Sequence, residues 1–287
     1  MGRWKGTLVA LAAVASIGAT TGSALGRGNI IWMTVDLPPA TIYEGEMAGS
    51  GFADQQLRVL SAALPGYDHQ IVKGTIARDW HELETRDGIC FNWVTRNSGF
   101  HWNAVFSKRP VLNPGYRLVV RSNRLTEFLP YAATGDIDLE LLGRNDSLSG
   151  GYIASRDYLA TINGFLGAED RRARLQKTMS SSQLVELLHA NRLDFIFASP
   201  TEVAFYREAQ HLNDEFAVLK VKNGPVYNEG YIACSAGPVG KAVIAQIDAY
   251  LERPEGWAAY VAPLQRWLDP ADYTFAAGSR LHQEAGK

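Results

Sequence analysis

The chain has 287 residues, 46% hydrophobic and 20% charged, enough for one large or two medium domains with a real core. Its 28 basic residues against 30 acidic ones give a formal net charge of −2, and such a balance gives no reason to expect nucleic acid or an anionic membrane as a partner. The two cysteines, Cys90 and Cys234, and the six scattered histidines show no metal-ligand spacing, so no metal and no cofactor is expected.

The first 26 residues read as an export signal. Arg3 and Lys5 give a positive start, 7–19 is apolar and uncharged, and small residues follow through Ala24. That apolar run is shorter than the ~20 residues needed to span a bilayer, which sets a cleaved signal ahead of the other reading, a retained membrane anchor. Cleavage is expected after Ala24, with the position after Gly26 as the other choice. No lipid-anchor cysteine follows the run, and no later stretch is apolar enough to cross a membrane. The mature chain is therefore expected to be soluble and periplasmic. In that oxidising compartment Cys90 and Cys234 read either as one disulfide or as two buried thiols.

Beyond the leader, short apolar runs alternate with amphipathic ones, the pattern of an α/β protein. Strands are expected at 29–35, 69–76, 89–94, 104–106 and 116–121. Helices are expected from Asp54 to Leu64 and over 80–85. A second α/β segment follows Arg121. It has helices at 125–133, 157–166, 180–191 and 202–209, and strands at 137–142, 193–198 and 216–221. The stretch 168–178 is charged and reads as surface. A strand at 230–235 and a long helix at 238–253 close the series. Pro200 after Ser199 suits a helix first turn.

Several of these pieces resemble the bilobed periplasmic solute-binding proteins of the type 2 fold, family 3, the class that includes amino-acid binders. Gly49-Ser50-Gly51-Phe52-Ala53-Asp54 is similar to that family's Gly-Phe-x-x-Asp helix entry. Ala104-Val105-Phe106-Ser107-Lys108-Arg109-Pro110 resembles its Phe-Ser-x-Pro strand, with Arg109 inserted. Leu118–Arg121 resembles the strand that crosses to the second lobe. Asn191-Arg192-Leu193-Asp194 resembles a Gly-x-x-Asp turn, and Tyr231-Ile232-Ala233-Cys234-Ser235 the return to the first lobe. The likeness spans nearly all of the mature chain. It looks closest to a subgroup without an assigned ligand, which shares the Trp, Asp-x-Pro-Pro and Ala-Cys-Ser pattern. The resemblance implies an α/β protein of two lobes, each a mixed sheet flanked by helices, joined by two hinge crossings. Lobe 1 would hold 25–120 plus 223–287 and lobe 2 would hold 121–222, behind a signal peptide at 1–24. Hinge motion is expected at 118–121 and 221–231.

The ligand chemistry departs from that family. Its amino-acid binders grip a carboxylate with an Arg three residues after a Thr. Here Thr95 fits the Thr, Ser98 stands at the third position, and Arg96 is one residue on. Arg96 reads either as a displaced clamp or as a solvated loop residue. The same binders place an Asp at the end of a lobe-two strand for the ammonium. Counting five residues on from Asp194 reaches Ser199, whose hydroxyl carries no charge. A buried ammonium without a charged partner is disfavoured, so a free α-amino acid is not the expected ligand.

Other residues at expected strand ends complete the candidate set, because open sheets hold ligands there. Asp36 and Tyr43 follow the first strand, and Arg78, Trp93 and Trp102 lie near other first-lobe strand ends. Tyr152 and Ser155 lead into the helix at 157, whose first amides offer an anion site. Ser180–Ser182 offers a second such helix start, and Glu202 begins a third helix. The bland readings stand beside these: helix capping for the serines, a turn for Asp36, and core packing for Trp93, Trp102, Tyr43 and Tyr152. No Gly-x-Ser-x-Gly elbow and no His-Glu-x-x-His occurs, so no enzyme is expected. The expected partners are a small polar solute and an inner-membrane transporter or sensor, with the chain itself a monomer. A degenerate lobe pair that binds protein partners is the alternative, with an exported enzyme behind it.

Overall fold

The computed structural model describes residues 1–2, 28–95, 103–132, 135–154, 156–212 and 215–278. The expected signal peptide, apart from Met1 and Gly2, lies outside the described residues. The strands are β1 (Gly28–Thr34), β2 (Tyr67–Lys73), β3 (Ile89–Val94), β4 (Ala104–Phe106), β5 (Val111–Pro114), β6 (Arg117–Arg121), β7 (Ser149–Ile153), β8 (Arg174–Thr178), β9 (Phe195–Ala198), β10 (Phe216–Leu219) and β11 (Tyr227–Ser235). The helices are α1 (Phe52–Ala63), α2 (Ile76–Thr85), α3 (Leu125–Phe128), α4 (Leu139–Gly143), α5 (Leu159–Gly167), α6 (Ser181–His189), α7 (Pro200–Ala209), α8 (Pro238–Leu251), α9 (Pro254–Val261) and α10 (Pro270–Gly278).

Two mixed sheets organise these elements. The first runs β2-β1-β3-β11-β4, with β5 also paired to β11, and the second runs β10-β6-β9-β7-β8. The period-two alternation of each strand decides its layers. In β1, Ile30 and Trp32 face the cluster under α1, α8 and α9, while Ile31 and Met33 face Leu83 of α2. In the second sheet, Val119 and Ile196 face α6 and α7, while Leu118, Val120, Phe195 and Phe197 face α3 to α5. Both sheets are therefore covered on both faces, as their mostly apolar central strands require.

The chain passes from the first sheet to the second at Gly115–Tyr116, before the expected boundary at 120. The whole of β6 belongs to the second sheet, because it pairs with both β9 and β10. It returns through 220–226 into β11, whose first residues pair with β5. The two crossings thus form a ribbon rather than separate tethers. Arg117 fastens it. Its buried guanidinium donates to the carbonyls of Gly115 at 3.0 Å, Pro225 at 2.9 Å and Val226 at 3.3 Å. Burial lowers the Arg117 pKa, and the nearby carboxylates of Asp272 and Asp136 oppose that effect. Gly115 permits the close approach, since a Cβ there would lie 2.0 Å from the Pro225 carbonyl oxygen. Arg117→Met should cost about 2–3 kcal/mol, because carbonyls bonded to a cation lose their donor together. Urea unfolding of the variant measures this, and a loss below half a kilocalorie would show that the ribbon does not depend on Arg117.

Cys90 and Cys234 face each other in the antiparallel β3–β11 ladder, with Cα atoms 4.0 Å apart, and are joined as a disulfide. A second tie links the lobes through α7. Phe205 packs against Trp267 with ring centroids 5.9 Å apart, and Arg266 pairs with Glu208.

Three expected elements differ. Residues 137–142 are not a strand: Ile137 makes one bridge to Val221, and the Asp138 side chain then caps α4 through the Glu140 and Leu141 amides. The stretch 168–178 is largely exposed, as expected, but its last five residues also form edge strand β8 beside β7. The charges of Arg174 and Lys177 suit an edge that must not pair further. Where one helix was expected over 125–133, residues 125–131 form α3 and a short 3-10 turn containing Pro130.

Candidate functional site

The carboxyl ends of β7, β8 and β9 are parallel and leave the second sheet on the same edge. Each carries polar groups. After β9, Ser199 caps α7, with its Oγ accepting from the Glu202 amide at 3.3 Å. Glu202, on the first turn of α7, folds back: its Oε2 accepts from the Ser199 amide at 2.9 Å and lies 3.1 Å from the Ser199 Oγ. After β8, Ser180 caps α6, and the next residue, Ser181, donates its hydroxyl to Glu202 Oε1 at 2.6 Å. After β7 comes Arg156, whose guanidinium grips the same carboxylate with both arms, Nη1 to Oε2 at 2.9 Å and Nη2 to Oε1 at 2.7 Å. Its Nη2 also donates to the Ser181 Oγ at 3.1 Å.

The pair is deeply buried, with side-chain exposures of 12% for Arg156 and 7% for Glu202. Tyr116 and Tyr158 wall the guanidinium, with ring centroids 5.4 Å and 5.7 Å from its carbon. Burial alone would raise the Glu202 pKa. Arg156 beside it, with the bonds from Ser181 and Ser199, holds it below the usual carboxylate range. Burial likewise works against the Arg156 charge, and Glu202 reverses that, leaving the guanidinium firmly protonated. Burial also pushes the Tyr158 and Tyr206 hydroxyls up. An anion at two helix N-termini is matched by amides and dipoles, and the bidentate arginine completes the geometry.

The parallel strands β1, β2 and β3 end on one edge of the first sheet. Asp36 is exposed there and accepts the Tyr43 amide at 3.1 Å. The Tyr43 hydroxyl lies 2.9 Å from the Thr34 Oγ1, and the Lys73 ammonium sits over its ring, 4.3 Å from the centroid. Burial raises the Tyr43 pKa. Asp79, in the first half of α2, is fully buried, and burial raises its carboxyl pKa although Arg78 and the Thr75 amide pull it down. Gly74 makes room for it, as a Cβ there would lie 1.9 Å from Asp79 Oδ1.

The sequence-predicted residues fall into three groups. The structure brings Ser199 and Glu202 together in one network, and Asp36 together with Tyr43 in another. Arg78 and Thr95 are exposed on the first-sheet edge, and half-buried Trp93 packs edge-on to Phe52 with centroids 5.4 Å apart. Tyr152 is half-buried against the cluster on the α3–α5 side. Arg96, Trp102 and Ser155 lie outside the described residues. At the start of the helix after 157, Asp157 accepts the Leu159 amide at 2.9 Å. One expectation needs correction. The negative charge thought absent at Ser199 is present: the Glu202 carboxylate reaches back to that residue. Sequence reasoning passed over Arg156, Ser181 as a carboxylate donor, Lys73, Asp79 and the tyrosines at 116, 158 and 206. The signal for Arg156 was an arginine three residues past a buried strand end.

No protein-family model and no curated protein matches the chain. Solved structures do. The periplasmic VFT2 domain of BvgS from Bordetella pertussis superposes with a TM-score of 0.58 at 14% identity, covering 84% of this chain and 93% of that one. An ancestral arginine-binding protein bound to arginine gives 0.58 at 17% identity, covering 85% and 99%. A probable amino-acid ABC transporter extracellular-binding protein from Bacillus subtilis gives 0.63 at 12% identity, covering 85% and 98%. The chain has the type 2 periplasmic solute-binding fold. In a binding-protein fold of this type, the two sheets are the centres of two lobes joined by the β5–β6 and β10–β11 ribbon. The first-sheet edge with Asp36 and Tyr43 then belongs to lobe 1, and the Arg156–Glu202 network belongs to lobe 2.

Proposed function

We propose that the protein is an exported solute-binding protein that closes its two lobes on a small polar ligand and presents it to an inner-membrane transporter or sensor. The observation that carries this reading is the pair of polar sheet edges, each at the carboxyl ends of parallel strands, on either side of a two-strand ribbon. Neighbours of the same fold include an arginine binder and an ABC transporter binding protein, which supports a ligand-binding role. The leader-like first 26 residues support the periplasm as the place of work. Function on this reading is a difference in affinity between open and closed states, with no bond made or broken. The protein acts as a monomer and needs no cofactor.

Thermal melting of the mature chain against amino acids, peptides, polyamines, organic acids, sugars and cell-wall fragments tests the reading. A ligand at 100 times its Kd should add about 2.7 kcal/mol, a rise of several degrees for a chain of this size. Small-angle scattering on the same sample should show compaction. One observation favours a second reading, a lobe pair that serves as a protein-interaction or sensory module: the lobe-two edge is already saturated by its own side chains. No melting shift with any solute would decide for it.

A further inference from the structure

We infer that the ligand is uncharged where the protein holds it, a compact solute that binds through amide or hydroxyl groups. This rests on the solute-binding reading and narrows it. At the lobe-two edge, the N-termini of α6 and α7 meet, and amides there attract an anion. The chain's own Glu202 carboxylate fills that place, and the chain's own Arg156 neutralises it in a bidentate pair. Glu202 accepts from both arms of Arg156, from Ser181 and from Ser199, so neither of its oxygens awaits an ammonium. An anionic ligand group would meet a carboxylate, and a cationic one would meet a guanidinium. Either would have to break a buried pair to gain a partner, and such a pair is costly to open.

At the lobe-one edge, two of the described charges are engaged within the chain. Asp36 holds the Tyr43 amide, and Lys73 lies over the Tyr43 ring. Asp79 is fully buried behind Gly74, with no hydrogen bond to its carboxylate oxygens from the described residues, and the exposed Arg78 beside it offsets its charge. Beside these sit apolar lips. Leu37, next to the loop after β1, is 48% exposed, and Met179, just past β8, is 79% exposed. Edges whose charges are mostly matched within the chain, beside hydroxyls and apolar rims, select a neutral polar molecule by excluding net charge.

Matched pairs test this on the unaltered mature protein. Alanine is compared with N-acetylalaninamide, succinate with succinamide, and a diamine with its diacetylated form, by melting temperature at equal concentration. The expected result is a rise with neutral members and none with their charged partners. A larger rise with any charged member would overturn the inference and leave the solute-binding reading standing. No rise with any member, and none in the broad panel, would overturn that reading and this one together. A second measurement uses Arg156→Ala. Methylguanidinium chloride should raise its folded fraction by circular dichroism, where the same concentration of sodium chloride does not, because the ion replaces the missing occupant. Equal effects of the two salts would overturn the assignment of Arg156 as the built-in cation.

Discussion

Arg156→Met is expected to lower the unfolding free energy by about 3–5 kcal/mol, with a fall in melting temperature on the order of 10 °C. The change leaves Glu202 at 7% side-chain exposure without its counter-charge. The Ser181 and Ser199 donors remain, but two neutral hydroxyls and an amide do not replace a guanidinium. Removing both charges, as in Arg156→Met with Glu202→Leu, should recover much of the loss, because a buried pair is worth little against apolar residues of similar volume. The pH dependence separates this account from simple loss of packing. Glu202 in the folded protein has a pKa below its ordinary value. The pair therefore contributes stability above the unfolded glutamate pKa of about 4.3, and that contribution is lost as pH falls through the lower folded value. In the variant, burial acts on Glu202 with only the Ser181 and Ser199 bonds against it, and its pKa rises. The gap between the two proteins should be widest at neutral pH and narrow toward acid. Urea unfolding across that range measures it, and a gap that stays constant with pH would sink the electrostatic explanation.

The fold was largely legible because its signals are local. Apolar runs of strand length, Pro38-Pro39 after β1 and Ser199-Pro200 before α7 each mark an element by backbone chemistry alone. What was missed depends on partners far along the chain. The strand β8 is charged and reads as surface, and only pairing with β7 makes it a strand. Residues 137–142 have strand composition, yet Asp138 supplies a cap that favours a helix. The site was legible only in part, for the same reason. A five-residue count from Asp194 found Ser199 and registered a missing charge, while helix geometry swings the N3 carboxylate of Glu202 back onto the cap. Its partner Arg156 is 46 residues away, and the third member, Ser181, is 21 away. No spacing rule joins three residues from three strand ends. Sheet order does, since β8-β7-β9 is not chain order.

Replacing both cysteines, as in Cys90→Ala with Cys234→Ala, is expected to cost about 5 kcal/mol, by the chain-entropy relation for a loop of this length. The two residues are 144 positions apart, and the loop they close contains the whole of the second sheet. Without the bond, the unfolded chain gains the freedom that this loop had lost, while the folded chain gives up little, because both side chains are small and fully buried. At about 2–4 °C per kcal/mol for a chain of this size, the melting temperature should fall by roughly 10–20 °C. The bond also acts on the site. It pins β11, the return strand of the ribbon, to β3, whose carboxyl end carries Trp93 and Thr95 toward the lobe-one edge. The relative position of the ribbon and this edge is thereby set within the first sheet. Melting of the oxidised protein, the protein unfolded and refolded under reducing conditions, and the double variant separates the contributions. The reduced protein and the variant should melt together, well below the oxidised form. Coincident melting of all three would mean that the ladder between β3 and β11 holds that geometry by packing and hydrogen bonds alone.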